Sequence, residues 1–300
     1  SFGSECGDTA LLEKAVDALE SRHFSDLLHV YLDMGISFPE ARQRAIREIA
    51  GIKTSALFES ANNTLGIEYI KALRKLKSPM RPYTVQRFGA GHDQELPVGD
   101  IASASAVRMR IAAGRVENAA QYLPASTRGI LHKALQEGRC PAEPERIERA
   151  VLASLRRLTK SELAGLPGIS EGLENRFYQA IGESGSIEEL ISKVKTRRYT
   201  HTRISRIIFA GFLGLGAEFE KQRPPYIRVL GANERGAEIL RASKDATIPI
   251  VSRVSRFDTL DDHTRRVFDM ECRAADLYAL ALLKPLPSNS EFTNKIIIVD

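Results

Sequence analysis

The stretch Pro79–Ile111, PMRPYTVQRFGAGHDQELPVGDIASASAVRMRI, restricts the fold more than any other part of this sequence. Tyr83 to Phe88 reads as a short strand and carries Arg87 near its end. Gly89, Gly91, Pro97 and Gly99 then break regular structure through a turn-rich segment. Ile101–Arg108 follows, with Ser103, Ser105 and Arg108 at the start of a helix. Strand, loop and helix in that order suit an α/β layer, where ligands gather at the carboxyl ends of strands. A helix start offers unpaired amide N–H groups and the positive end of the dipole, and Arg108, one turn in, can grip a phosphate bidentately. The pattern alone leans to the plainer reading, an ordinary serine N-cap.

Upstream, Phe2-Gly3-Ser4-Glu5 reads as a strand end followed by a glycine turn. Amphipathic helices are predicted over Thr9–Ser21, Phe24–Met34 and Phe38–Ile49, the last with Pro39 in its first turn and Gly51 as its stop. A polar break, Ala61-Asn62-Asn63-Thr64, precedes a helix whose buried stripe is predicted to be Leu65, Tyr69, Ile70, Leu73 and Leu76. Asn62 or Asn63 is the natural N-cap there, and either side chain could equally read a base edge or a ribose. Gly3, one of these asparagines, Arg87 and Ser103 could converge at the carboxyl end of a sheet.

From about Val116 the strand signals fade. Helices are predicted over Thr127–Leu135, Glu145–Leu158, Ser161–Leu166, Gly172–Ile181, Ile187–Val194 and Thr200–Leu213, with Gly138–Pro144 as a loop. Leu166-Pro-Gly-Ile-Ser170 joins two of them in the manner of a helix–turn–helix connector. Tyr226–Gly231 and Ile248–Ser252 read as strands flanking the helix Glu234–Ser243, a small βαβ-like insertion. A long helix lies within Leu260–Leu283, and Ile296–Val299 is a candidate final strand.

Composition narrows the class of function. Three hundred residues, 43% of them hydrophobic, are ample for a core and suggest two domains. The net charge of +5 leans towards an anionic partner. Most of that bias is local: Lys193–Arg206 holds Lys193, Lys195, Arg197, Arg198, Arg203 and Arg206 with no carboxylate, and Tyr199 and His201 are interleaved. Positive charge beside an aromatic ring suits phosphates and an unstacked base, as in single-stranded RNA loops, against the alternative of a solvated helix start. Three widely spaced cysteines and six unpaired histidines argue against a disulfide framework and a metal site. No run approaches the roughly 20 apolar residues of a membrane span, and a reduced, cytoplasmic setting is the expectation.

Six stretches, taken in order, resemble the tRNA(Met) cytidine acetate ligase family of the HIGH-type nucleotidyltransferase superfamily. They are Phe2–Asp8, Asn62–Tyr69, Met80–Arg87, Ile101–Arg108, Lys195–Arg203 and Pro225–Gly231. The resemblance implies use of ATP, with Mg2+, to activate acetate as acetyl-adenylate, then acetylation of N4 of the wobble cytidine of elongator tRNA(Met). It implies ATP contacts from Gly3, Asn62 or Asn63, Arg87 and Phe88. Ser103, Ser105 and Arg108 match the superfamily's second phosphate motif. The six basic residues of Lys193–Arg206 would meet tRNA. The expected fold is α/β plus mostly α. Residues 1–122 would be the second half of a Rossmann-like nucleotidyltransferase domain, and residues 123–300 a mainly helical tRNA-binding domain.

The family's His-x-Gly-His motif does not occur in these residues, and His92 stands in a different context. The economical reading is a chain whose front strand and motif were removed, so that it cannot adenylate acetate alone. The catalytic residues stay unassigned. The alternatives are a non-catalytic tRNA-binding module and another HIGH-type nucleotidyltransferase acting on a small acid.

Overall fold

A computed structural model describes residues 1–88, 99–170, 172–196, 199–219, 222–254, 257 and 260–299. Gly89, Gly91, Pro97, Arg197 and Arg198 therefore lie outside the described residues. The chain divides into two compact units, Ser1–Tyr122 and Leu123–Asp300.

The first unit is organised on a pair of parallel strands. β1 (Phe2–Ser4) precedes α1 (Thr9–Glu20), α2 (Arg22–Asp33), α3 (Phe38–Ala50), α4 (Ile52–Ala56) and α5 (Ala61–Lys75). β2 (Thr84–Gln86), α6 (Ala104–Ala112) and α7 (Val116–Ala120) complete it. Phe2 pairs with Thr84, Gly3 with Val85 and Ser4 with Gln86. The predicted Tyr83–Phe88 strand is thus shorter than its pattern. Its flanks still serve the ladder: Phe2 N–H donates to Tyr83 O at 3.0 Å, and Arg87 N–H to Ser4 O at 2.9 Å. Between the strands the buried Ser4 and Thr84 hydroxyls bond at 2.6 Å, which satisfies two polar groups that would otherwise cost stability.

Helices α1 and α5 pack together beside this pair, burying Leu12, Ala15, Val16, Leu57, Ile67 and Ile70. A second cluster, Ala18, Phe24, Ala45 and Ile46, joins α1, α2 and α3. The stripe expected on α5 is corrected. The buried positions are Asn63, Gly66, Ile67 and Ile70, while Leu65, Tyr69 and Leu76 are 48%, 45% and 68% exposed. The observed set keeps helical spacing. Its phase is set by close approach: a Cβ on Gly66 would lie 2.5 Å from the Phe2 ring. The helix also starts earlier than predicted, with Ser60 as N-cap and Asn62 and Asn63 inside the first turn, so neither asparagine is the cap.

The second unit contains α8 (Ala125–Gln136), α9 (Glu148–Arg156), α10 (Lys160–Ala164), α11 (Leu173–Glu183), α12 (Ile187–Val194) and α13 (His201–Leu213). Helices α9 to α13 enclose a core around Phe177, with Val151, Leu155, Leu163, Leu190, Ile204 and Ile208. Thr159 and Glu162 form a reciprocal capping box that starts α10. The α10–α11 connector turns on Gly168 and Gly172, both at φ +79°, a region costly for residues with a Cβ.

The remaining elements are β3 (Ile227–Arg228), β4 (Gly231–Ala232), α14 (Glu234–Ala242), β5 (Ile250–Val251), α15 (Asp262–Ala279), α16 (Ser290–Thr293) and β6 (Ile297–Ile298). β3 and β5 pair in parallel across α14, the βαβ arrangement expected. β6 pairs in parallel with β4. Beneath them Phe257 stacks on Phe268 at 3.8 Å, and Tyr226 meets Phe257 edge-on at 4.8 Å.

Helix propensity favours alanine over glycine by about 1 kcal/mol. The Phe2 ring nevertheless makes Gly66→Ala destabilising, by about 1–3 kcal/mol. Urea denaturation checks this; a neutral or stabilised variant would contradict the close packing.

Candidate functional site

The turn that leaves β1 and the first turn of α5 are locked together by Glu5. Its Oε1 accepts from Asn62 Nδ2 at 2.7 Å and its Oε2 from Asn63 N–H at 2.9 Å. Ser60, the N-cap, supplies no side-chain bond, so Glu5 caps α5 from a distant part of the chain. Asn63 returns the link: its Oδ1 accepts from Cys6 N–H at 3.0 Å. Gly7 N–H donates to Ser4 Oγ at 3.0 Å, and Gly7 sits at φ +62°, where a Cβ would strike Gln86. Partial burial raises the pKa of Glu5. Hydrogen bonds from the Asn62 side chain and from the backbone of Glu5, Asn63 and Asn62 outweigh it, so the carboxyl titrates below its ordinary value.

These bonds gather several of the predicted residues. Gly3 lies on β1 opposite Val85, and a Cβ there would come 3.4 Å from Cγ of Arg87. Arg87 is exposed directly after β2, and Phe88 beside it is 77% exposed. Asn62 is partly exposed, whereas Asn63 is 4% exposed. Glu5 was within a matching stretch but was given no role from sequence. The only signal was an acidic residue directly after a strand.

Ser103, Ser105 and Arg108 are on α6, which packs mainly against α7. Ser103 is the N-cap, its Oγ accepting from Ala106 N–H at 3.1 Å, as the plainer sequence reading held. Arg108 is exposed, and its bond to Ser105 Oγ at 3.4 Å stays inside the helix. Among the described residues, no hydrogen bond ties Ser105 or Arg108 to the strand pair.

The basic run separates into two kinds of residue. Lys193 Nζ donates to Glu183 O at 2.6 Å and pairs with Glu189 at 2.9 Å. Arg203 donates twice to Gly168 O, at 2.8 and 3.3 Å, and once to Ser170 Oγ at 3.1 Å, with its guanidinium 5.0 Å from the Tyr199 ring centre. Both side chains hold helices and connectors together. Lys195 and Arg206 are exposed.

Comparison with known proteins gives the family and the fold. The HIGH Nucleotidyl Transferase family matches residues 1–292. A tRNA(Met) cytidine acetate ligase of Acetivibrio thermocellus is 33% identical, over 99% of this chain and 76% of its own length. The crystal structure of Thermotoga maritima TmcAL in its apo form I has a TM-score of 0.88 at 29% identity, covering 99% of this chain and 76% of that one. Another crystal structure of the same protein, bound with alpha-thio ATP, has a TM-score of 0.87 at 29% identity, covering 99% of this chain and 75% of that one. The fold is therefore of the nucleotidyltransferase α/β type, built mostly from helices. The chain belongs to the HIGH nucleotidyl transferase family and, within it, to the tRNA(Met) cytidine acetate ligases.

The contacts of Arg203 make it a stability residue. Arg203→Ala is expected to cost about 1–3 kcal/mol in urea denaturation, whereas Arg206→Ala should stay within about 0.5 kcal/mol. Equal effects would remove the distinction between the two.

Proposed function

We propose that this chain binds ATP in its first unit and tRNA in its second, as part of an ATP-dependent acetate ligase. That enzyme would form acetyl-adenylate and then acetylate N4 of the wobble cytidine of elongator tRNA(Met), in the cytoplasm. The observation that carries the reading is the clustering of Gly3, Glu5, Asn62 and Arg87 where β1 and β2 end. It is supported by likeness, over 99% of the chain, to a protein named for that ligase activity. The solved relative bound with alpha-thio ATP supports the nucleotide.

Each group has a task in this chemistry. Gly3 lets the nucleotide approach the strand without a Cβ in the way. Arg87, and Arg108 with the α6 amides, would balance charge as an acetate oxygen attacks the α-phosphate and pyrophosphate departs. The exposed Phe88 ring offers a stacking face for the base. Among the described residues no group of three His, Cys, Asp or Glu is placed to hold a metal. Mg2+ would enter with the triphosphate, whose oxygens supply ligands for it. In the second step the anticodon base must leave its stack so that its exocyclic amine meets the acyl carbon. Lys195 and Arg206, with Arg197 and Arg198, would hold the RNA backbone.

The 300 residues contain no His-x-Gly-His. Binding and turnover should therefore separate: the chain retains ATP in equilibrium dialysis but releases no pyrophosphate with ATP and acetate. Robust release would overturn the inactivity, and absence of ATP binding would overturn the nucleotide site.

A further inference from the structure

The two asparagines at the start of α5 are not equivalent, and Glu5 makes the difference. An ionised carboxylate only accepts hydrogen bonds, so the Asn62 atom facing Glu5 Oε1 at 2.7 Å is the amide nitrogen. The Asn62 carbonyl oxygen is thereby turned away from Glu5, and it accepts no hydrogen bond among the described residues. A backbone N–H only donates, so the Asn63 atom facing Cys6 N–H at 3.0 Å is its oxygen. With that oxygen occupied and its side chain 4% exposed, Asn63 is a structural link. The contact with a ligand falls to Asn62.

We propose that Glu5 is a positioning residue of the nucleotide site, fixing Asn62 so that its carbonyl oxygen accepts a hydrogen bond from a donor group of the nucleotide. This rests on the ATP-site reading above. The donor is a ribose hydroxyl or the exocyclic amine of adenine. A phosphate is excluded as the partner of that oxygen, because an amide oxygen and an ionised phosphate oxygen both accept and neither donates. The start of α5, already holding the Glu5 carboxylate against Asn63 N–H at 2.9 Å, is likewise closed to phosphate. The triphosphate is left to the Arg87 and α6 side of the unit. Glu5 thus separates a neutral, donor-reading end of the site from a cationic one.

The experiment compares equilibrium binding of ATP, inosine triphosphate, 2′-deoxy-ATP and 3′-deoxy-ATP to the full chain and to its Asn62→Ala and Glu5→Gln variants. Inosine triphosphate replaces the exocyclic amine by an accepting carbonyl, and each deoxy analogue removes one hydroxyl. The wild-type chain should bind one of the three analogues about five- to tenfold more weakly than ATP, the worth of one hydrogen bond. The weakened analogue identifies the donor. Asn62→Ala should abolish that preference. In Glu5→Gln the new amide can present its own N–H2 to Asn62 and reverse it, so the preference should shrink or invert while ATP still binds. Thermal unfolding of each variant verifies the fold, and the analogue series on the wild type tests the proposal without any substitution. Equal binding of all four nucleotides by the wild type would overturn the proposal and leave the ATP site standing. So would a preference unchanged in either folded variant. No ATP binding at all would instead remove the site itself, and the role of Glu5 with it.

Discussion

One carboxylate, that of Glu5, joins the strand end of the first unit to the start of α5. Strands of three residues are too short to persist by their own ladder, and β1 and β2 are both of that length. They are held by three different interactions: the buried Ser4–Thr84 hydroxyl pair, the Phe2 ring against Gly66, and the bonds from Glu5 to Asn62 and Asn63. The last, together with the Cys6 N–H bond to Asn63 Oδ1, ties the strand's carboxyl end to a helix start. Without it, Asn62 has no fixed orientation, and the first turn of α5 has no cap beyond the backbone of Ser60. The atoms that stabilise this junction are thus the same few on which the proposed nucleotide site rests.

This also explains what the sequence disclosed and what it withheld. Helix positions were legible because their apolar spacing and punctuation are local: α1, α3, α12 and α13 fall within a residue or so of their patterns. The α5 stripe differs from its pattern because Leu65 and Leu76 are exposed, and Tyr69, although its ring meets Phe2 at 5.7 Å, stays 45% exposed. A glycine cannot announce from sequence that a ring will lie against it. The pairing of β4 with β6 joins residues far apart in the chain, so no local pattern contained it. Of the proposed site, Gly3, the asparagine pair and Arg87 are what the resemblance alone points to. The role of Glu5 was not legible, because it exists only once the strand end and the helix start meet.

The basic segment carries a related lesson in the second unit. Charge density drew attention to six residues, yet Lys193 and Arg203 are engaged with carbonyls and carboxylates of their own unit. Arg203 in particular braces the Gly168 turn, donating twice to its carbonyl. A run of positive charge therefore mixes groups that build the surface with groups that present it, and only the hydrogen bonds separate them. Lys195 and Arg206 belong to the second kind.

The most direct test is amide NMR of the 15N-labelled chain titrated with ATP. A nucleotide site at the ends of β1 and β2 requires shift changes concentrated at Gly3–Gly7, Asn62, Asn63 and Arg87, with the second unit's core around Phe177 unaffected. Changes confined to the second unit, or spread without any preference for these amides, would contradict it.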